Sequence, residues 1–188
     1  MTQIDRRALL CLTGGAALLG SAWSAGAAQN GAAAGADAPF PGISSELVHT
    51  CAALVNAPAR AAFDFLADPQ SLGRWSLGAL NVKPTEKAGV YTGFSMFNGS
   101  QAWLAIDAKP ELLLIDYRVG TPDNLVPRIF ARVVPGTVVG LREDQCYVAL
   151  TAWRTASMTA ERWHQLRASH EAEILLIDSQ IETLQRKR

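Results

Sequence analysis

The sequence has no excess of charge of either sign. Its 188 residues include 17 Lys and Arg and 17 Asp and Glu, a formal net charge of zero. A nucleic-acid-binding surface needs a basic excess to neutralise phosphates, so we expect no nucleic-acid partner. Charged residues are only 18% of the chain, whereas hydrophobic residues reach 49%. A chain this apolar can build a packed core, which excludes wholesale disorder.

Cysteine and the common cofactor motifs are equally scarce. The three cysteines are too few for a disulfide-rich scaffold and lack the C-x-x-C spacing of a zinc site. His49 and His164 are not spaced as metal ligands, so we expect no metal ion. The sequence contains neither a glycine-rich phosphate loop nor the G-x-S-x-G of a serine hydrolase. We therefore expect no cofactor.

The N-terminus has the features of an export signal. Arg6 and Arg7 precede an apolar stretch rich in Gly and Ala, and Ala25-Gly26-Ala27 supplies a small-x-small cleavage pattern. The stretch is shorter than the roughly 20 apolar residues that span a bilayer. We therefore predict that residues 1–27 are a signal peptide resembling the twin-arginine type. The export machinery is then a partner, and the mature protein is periplasmic or secreted without stable membrane insertion. An uncleaved anchor is the alternative.

The rest of the chain predicts one domain after a short linker. Residues 28–43 are small, polar or proline and show no period, which predicts a flexible tether. Residues 44–188 are enough for a single hydrophobic core.

Two short helices are predicted near the start of this domain. A strand over 46–55 is followed by Pro58, a residue typical of the first helical turn. Asp68-Pro69 ends this helix, and a second one runs on to Trp75.

The middle of the domain alternates apolar and polar residues between turn signals, which predicts six further strands. Their spans are 79–83, 90–97, 101–107, 112–119, 129–134 and 145–154. Asn98-Gly99 indicates a hairpin. Two prolines within 120–128 predict an irregular connector there.

A long helix closes the chain, beginning after Ser157 or Thr159 as its cap. Apolar residues recur along it at steps of three and four, interrupted by one histidine: Trp163, Leu166, His170, Ile174, Ile177, Ile181 and Leu184. At about 100° per residue they keep within an arc of roughly 80°, which predicts one buried stripe.

At this point the sequence resembles a known superfamily. The run VNAPARAAFDFLADPQSLGRW (55–75), then about six antiparallel strands and one long C-terminal helix, is similar to START-like or polyketide cyclase proteins, also called SRPBCC or helix-grip proteins. The resemblance implies an α+β fold: a curved antiparallel sheet of about six to seven strands wrapped around the long helix, with two short helices after the first strand. It also implies a cavity for an apolar or amphipathic ligand. Because the superfamily contains carriers, cyclases, dehydratases and lyases, it names no reaction.

Small side chains in the strands independently favour such a cavity. Ala, Ser and Thr recur there, for example at Ala102, Ala105 and Ala131, and leave volume for a ligand. The alternative is an interior packed solid by aromatic residues such as Trp103 and Tyr117.

His170 and Glu173 are the predicted catalytic pair. His170 lies in the apolar stripe where Leu or Ile is expected, and burial would lower its pKa and keep the imidazole neutral. Glu173, three residues later, shares its face of the helix. Such a pair facing a cavity can orient a ligand or transfer protons. The alternative is a structural histidine, with Glu173 reaching solvent.

The predicted ligand-binding residues come from the strands and from the long helix. They are Trp103, Tyr117, Arg132, Trp163, Leu166 and His170. Tyr117 is either a hydrogen-bond donor to the ligand or a core aromatic. Arg118, Arg132 and Arg154 stand near strand ends; they bind a ligand carboxylate or enolate if they point inward and are exposed otherwise.

Cys51 and Cys146 lie in the first and last predicted strands, which are neighbours in the helix-grip sheet. A disulfide between them is therefore a hypothesis for an exported protein.

Three functions remain open. The first is an exported binding protein that holds a hydrophobic or aromatic small molecule. The second is a cofactor-independent cyclase, dehydratase or lyase that uses His170 and Glu173 for proton transfer. The third is an interaction module of the cell envelope in which the cavity is vestigial.

Overall fold

The computed structural model describes residues 40–187, with side chains from residue 45 onward. The predicted signal peptide, with Arg6 and Arg7, and residues 28–39 of the predicted tether lie outside the described residues.

The described residues form one curved antiparallel sheet of eight strands. The strands are β1 (Phe40–Ser44), β2 (Val48–Val55), β3 (Leu80–Pro84), β4 (Val90–Phe94), β5 (Gln101–Lys109), β6 (Leu114–Thr121), β7 (Asn124–Pro135) and β8 (Cys146–Trp153). Their order across the sheet is β1-β2-β8-β7-β6-β5-β4-β3. Strands β3 to β8 pair successively, and the first two strands join the free edge of β8.

Local sequence signals set the ends of the helices α1 (Ala59–Ala67), α2 (Pro69–Trp75) and α3 (Ala160–Arg186). The Asp68 carboxylate separates the first two, because it accepts the Gln70 N–H at 3.2 Å and the Ser71 N–H at 3.0 Å and so caps α2. Thr159 caps α3 by accepting the Arg162 N–H at 3.2 Å. A short 3₁₀ helix (Gly136–Val139) follows β7. None of the described helices is long and apolar enough to cross a bilayer.

The core lies between the concave face of the sheet and α3. Ile174, Ile177 and Ile181 of α3 are fully buried against it, whereas Leu184 is 39% exposed, so the buried stripe ends at Ile181. The predicted α+β helix-grip architecture, with two short helices after the first long strand, is confirmed.

Two segments are more regular than the sequence predicts. The sheet begins at Phe40, inside the predicted tether, which adds β1 to the six or seven strands expected. The predicted connector 120–128 is a tight hairpin turn at residues 122–123 with strand on both sides. Pro127 is tolerated in β7 because the pairing with β6 shifts register between Tyr117 and Arg118, and a proline lacks the N–H that a regular ladder needs.

The predicted disulfide is wrong, because the strand register separates its two cysteines. Cys51 pairs with Leu150 across β2 and β8, while Cys146 pairs with Val55. The two cysteines therefore stand four residues apart along the ladder, a separation of about 13 Å at 3.3 Å per residue. Both are free and buried, and burial raises the pKa of each thiol to about 12.

Candidate ligand cavity

A cavity of about 220 Å³ remains between the sheet and the first half of α3. A cavity of roughly 150 Å³ in another protein is large enough to bind benzene, so this one has room for a substituted aromatic ring. The alternative of an interior packed solid by aromatic side chains is therefore wrong.

Aromatic and aliphatic side chains form about half of the cavity wall. They include Leu72, Trp75, Trp103, Leu104, Ile129 and Leu150. Trp75 meets Tyr117 edge to face, with ring centroids 6.0 Å apart. The Tyr117 hydroxyl donates to the Leu66 carbonyl at 2.9 Å, so this tyrosine offers a ligand its ring rather than its hydroxyl proton.

The mouth of the cavity lies at the turn between β4 and β5. Asn98, Ser100 and Gln101 line the cavity there and are exposed. Phe97 also lines it, and the Arg162 guanidinium stacks on its ring with Cζ 4.5 Å from the centroid.

Five residues of α3 face the cavity: Arg162, Leu166, Ser169, His170 and Glu173. Their spacing returns them to one side of the helix within about 100°. Four of the five are polar, so α3 contributes many of the groups that can form hydrogen bonds or ion pairs with a ligand.

His170 is buried beside a second histidine. It is 3% exposed and its ring centroid lies 6.0 Å from that of His49 on β2. Burial, together with the nearby His49, Arg128 and Arg162, lowers the pKa of His170 to about 3, so the imidazole is neutral at neutral pH. Its Nδ1 has no hydrogen-bond partner among the described residues.

Glu173 is buried too and is held by backbone amides. One carboxylate oxygen, Oε1, accepts the Leu77 N–H at 2.7 Å, and the Gly78 N–H and the Ser76 hydroxyl also bind the carboxylate. Burial nevertheless raises its pKa to about 7, because desolvation of the carboxylate outweighs these bonds. Its other oxygen, Oε2, lies 3.7 Å from His170 Nε2. The structure thus brings the predicted pair together at the cavity.

Two further charged residues line the cavity that sequence reasoning missed, Arg128 and Arg162. Arg162 stands four residues before Leu166, so the helical spacing placed it on the same face. Arg128 fell in the segment interpreted as a connector, where no strand face was assigned. Burial and the nearby Arg162 charge lower the pKa of Arg128 to about 10, which leaves it charged at neutral pH.

Solved structures with the same arrangement of sheet and helix come from several sources. A START superfamily protein from Mycobacterium smegmatis has a TM-score of 0.55 at 11% identity and covers 73% of this chain and 99% of its own. The ZhuI aromatase/cyclase from Streptomyces sp. R1128 has a TM-score of 0.54 at 18% identity and covers 75% and 95%. The chain has the START-like fold.

A third similar structure, the di-domain aromatase/cyclase BexL of the BE-7585A biosynthetic pathway, has a TM-score of 0.54 at 17% identity and covers 72% of this chain and 46% of its own. No protein-family model matches the chain, and no curated protein matches its sequence. Identities this low establish the START-like fold alone, so the function has to be argued from the site.

Other predicted ligand-binding residues lie outside the START-like cavity. Arg132 is exposed on the sheet, and Trp163 is fully buried in a small cluster where its Nε1 donates to the Ser45 carbonyl at 3.1 Å. Arg118 pairs with Asp107, and Arg154 contacts Glu46 at 3.5 Å, so the strand-end arginines have partners away from the cavity. The predicted ligand-binding residues that do line it are Trp103, Tyr117, Leu166 and His170.

No group of three or more metal-ligating side chains occurs in the described part of the chain.

Proposed function

We propose that this is an exported protein that binds a small, largely apolar organic molecule in its START-like cavity. The observation that carries the proposal is the space of about 220 Å³ that remains between the sheet and the helices that pack against it. Interiors normally close-pack, so a space of this size that is partly walled by aromatic side chains can serve as a binding site for a small molecule.

The walls provide affinity and the mouth provides access. Trp75, Trp103 and Leu104 remove apolar ligand surface from water, at roughly 25 cal/mol for each Å² buried. The turn between β4 and β5 borders the opening, so a ligand enters without unpairing a strand.

Filling the cavity tests this proposal. Leu166→Trp is expected to weaken binding of 2-naphthamide, a neutral aromatic probe, by at least about tenfold, because the indole occupies the space of the probe. Isothermal titration calorimetry measures the affinity. Leu176→Trp is the matched control, since Leu176 is 37% exposed on α3 outside the cavity. Equal affinity of both variants and the wild type for this probe would contradict the proposal.

A second candidate is an enzyme on the same scaffold, and one observation favours it. Glu173 Oε2 lies 3.7 Å from His170 Nε2 at the cavity wall, and Oε1 is fixed by Leu77. With a pKa near 7, the carboxylate can accept a proton from a carbon beside a carbonyl and return it to a leaving hydroxyl. Neutral His170 can donate a hydrogen bond to the resulting enolate oxygen. These steps belong to a cyclisation or dehydration without a cofactor.

The enzyme candidate predicts a pH profile that belongs to Glu173. The protein should accelerate exchange of the carbon-bound protons of phenylacetone for deuterium, with a rate that rises through an inflection near pH 7 as Glu173 ionises. Glu173→Gln should lower the rate by about 100-fold or more, within the usual contribution of a general base. NMR measures the exchange, and Glu182→Gln, farther along α3 and outside the cavity, is the control. Exchange no faster than in buffer would exclude this candidate and leave the binding function.

A further inference from the structure

Two arginines line the cavity, one from the sheet and one from the long helix. Arg128 projects from β7 and Arg162 from the first turn of α3. They are close enough that the charge of Arg162 acts on Arg128. Stacking on Phe97 holds the Arg162 guanidinium at the mouth. Two cations thus share one partly desolvated space.

The protein itself does not neutralise this pair. Among the described residues, no ion pair within 4.0 Å involves Arg128 or Arg162. The Glu173 carboxylate attracts Arg162 from a distance, but its Oε1 is already bound to the Leu77 N–H. Arg162 Nη1 is buried and has no hydrogen-bond partner in the described part of the chain.

Other arginines of the sheet show what a paired guanidinium looks like here. Arg118 Nε lies 2.7 Å from Asp107 Oδ2 and its Nη2 lies 3.2 Å from Oδ1, a two-pronged contact. A buried cation without such a partner is costly, because it loses its hydration and gains no counter-charge. The Arg128 and Arg162 sites therefore have unused capacity for an anion from outside the chain.

We propose that Arg128 and Arg162 bind the carboxylate of the ligand, so that the cavity selects aromatic carboxylic acids in their ionised form. This inference rests on the proposed function and names its ligand class. A guanidinium presents parallel N–H groups that match the two oxygens of a carboxylate, and two of them can hold one carboxylate from both sides. The apolar body of the ligand then packs on Trp75 and Trp103.

Two probes of nearly equal shape isolate the charge. In 2-naphthoate and 2-naphthamide the ring system is identical, and only the carboxylate is replaced by a neutral amide. The wild type is expected to bind 2-naphthoate about 10- to 100-fold more tightly, the usual range for hydrogen bonds to charged groups. Calorimetry at low and moderate salt measures both affinities.

Variants assign the preference to the two arginines. Arg128→Gln and Arg162→Gln should each reduce the preference for 2-naphthoate over 2-naphthamide about tenfold. Arg132→Gln is the matched control, because Arg132 lies on the same strand as Arg128 but is exposed outside the cavity. A preference that survives in both glutamine variants would overturn the assignment.

The wild-type comparison needs no variant and separates two kinds of failure. Equal binding of both probes would overturn the carboxylate inference and leave the proposed binding function intact. Binding of neither probe would contradict both. A preference for 2-naphthamide would also overturn the inference, because it would show that the two arginines do not attract the anionic group of a ligand.

Discussion

Replacing Glu173 with alanine is expected to lower the free energy of unfolding by about 3 kcal/mol. The carboxylate accepts the Leu77 N–H at 2.7 Å and also binds the Gly78 N–H. Alanine leaves both amides without this acceptor in a part-buried site, at about 1–3 kcal/mol for each unsatisfied group. Because these bonds tie the segment after α2 to the middle of α3, the variant should also loosen the cavity wall.

Urea denaturation at neutral pH measures this loss of stability, and two further variants serve as controls. Glu173→Gln keeps an oxygen acceptor in the same place and should lose only about 1 kcal/mol. Glu182→Ala, on the same helix, removes a carboxylate that accepts from Asn56 at 2.7 Å at the surface and should also lose about 1 kcal/mol or less. Equal losses in Glu173→Ala and Glu182→Ala would show that the buried bonds from Glu173 to the Leu77 and Gly78 N–H groups stabilise the protein no more than a surface contact does.

Replacing His170 and replacing Glu173 are expected to change the pH dependence of the free energy of unfolding in opposite directions. Burial lowers the pKa of His170 from 6.5 to about 3, so in this range the unfolded chain binds a proton that the folded protein does not. The contribution of His170 is complete above pH 6.5 and is lost as the pH falls towards 3. Burial raises the pKa of Glu173 from 4.5 to about 7, so here the folded protein binds the extra proton. Its contribution is complete below pH 4.5 and is lost as the pH rises towards 7.

In the wild type the two contributions offset each other between pH 4.5 and 6.5. In His170→Gln only the contribution of Glu173 remains. The free energy of unfolding of this variant, relative to that of the wild type, should therefore fall by about 3 kcal/mol as the pH rises from 4.5 to 6.5. For Glu173→Gln the difference should rise by a similar amount. Denaturant titrations at closely spaced pH values measure both, with His164→Gln at an exposed position of α3 as the control. Parallel profiles for the two variants would show that the pair titrates as a single ion pair instead.

The fold was predictable because its signals are local. Pro58 and Asp68 mark the ends of short helices by chemistry that needs no distant partner. The three-and-four spacing of apolar residues along α3 is enough by itself to place His170 on the buried face, with Glu173 beside it. The resemblance of the segment 55–75 to START-like proteins then predicted that the strands form one curved sheet around the long helix.

The errors and omissions arose where the outcome depends on register or on distant residues. Strand assignment could not reveal that Cys51 and Cys146 are four residues out of step, because register is set by pairing across the whole sheet. The inward direction of Arg128 depends on the shift that accommodates Pro127. The bond from Leu77 to Glu173 joins residues far apart in sequence, and no pattern in either segment indicates it.

The two halves of the long helix α3 have different roles. Its first half carries the polar residues that meet the cavity, and its second half carries the isoleucines that hold the core. A change of ligand preference therefore requires few substitutions, all at the cavity-facing positions of about three turns, provided that the buried Trp163 and the Glu173 carboxylate are kept. Such a scaffold can diversify in specificity within this stretch, while the remaining turns preserve the architecture.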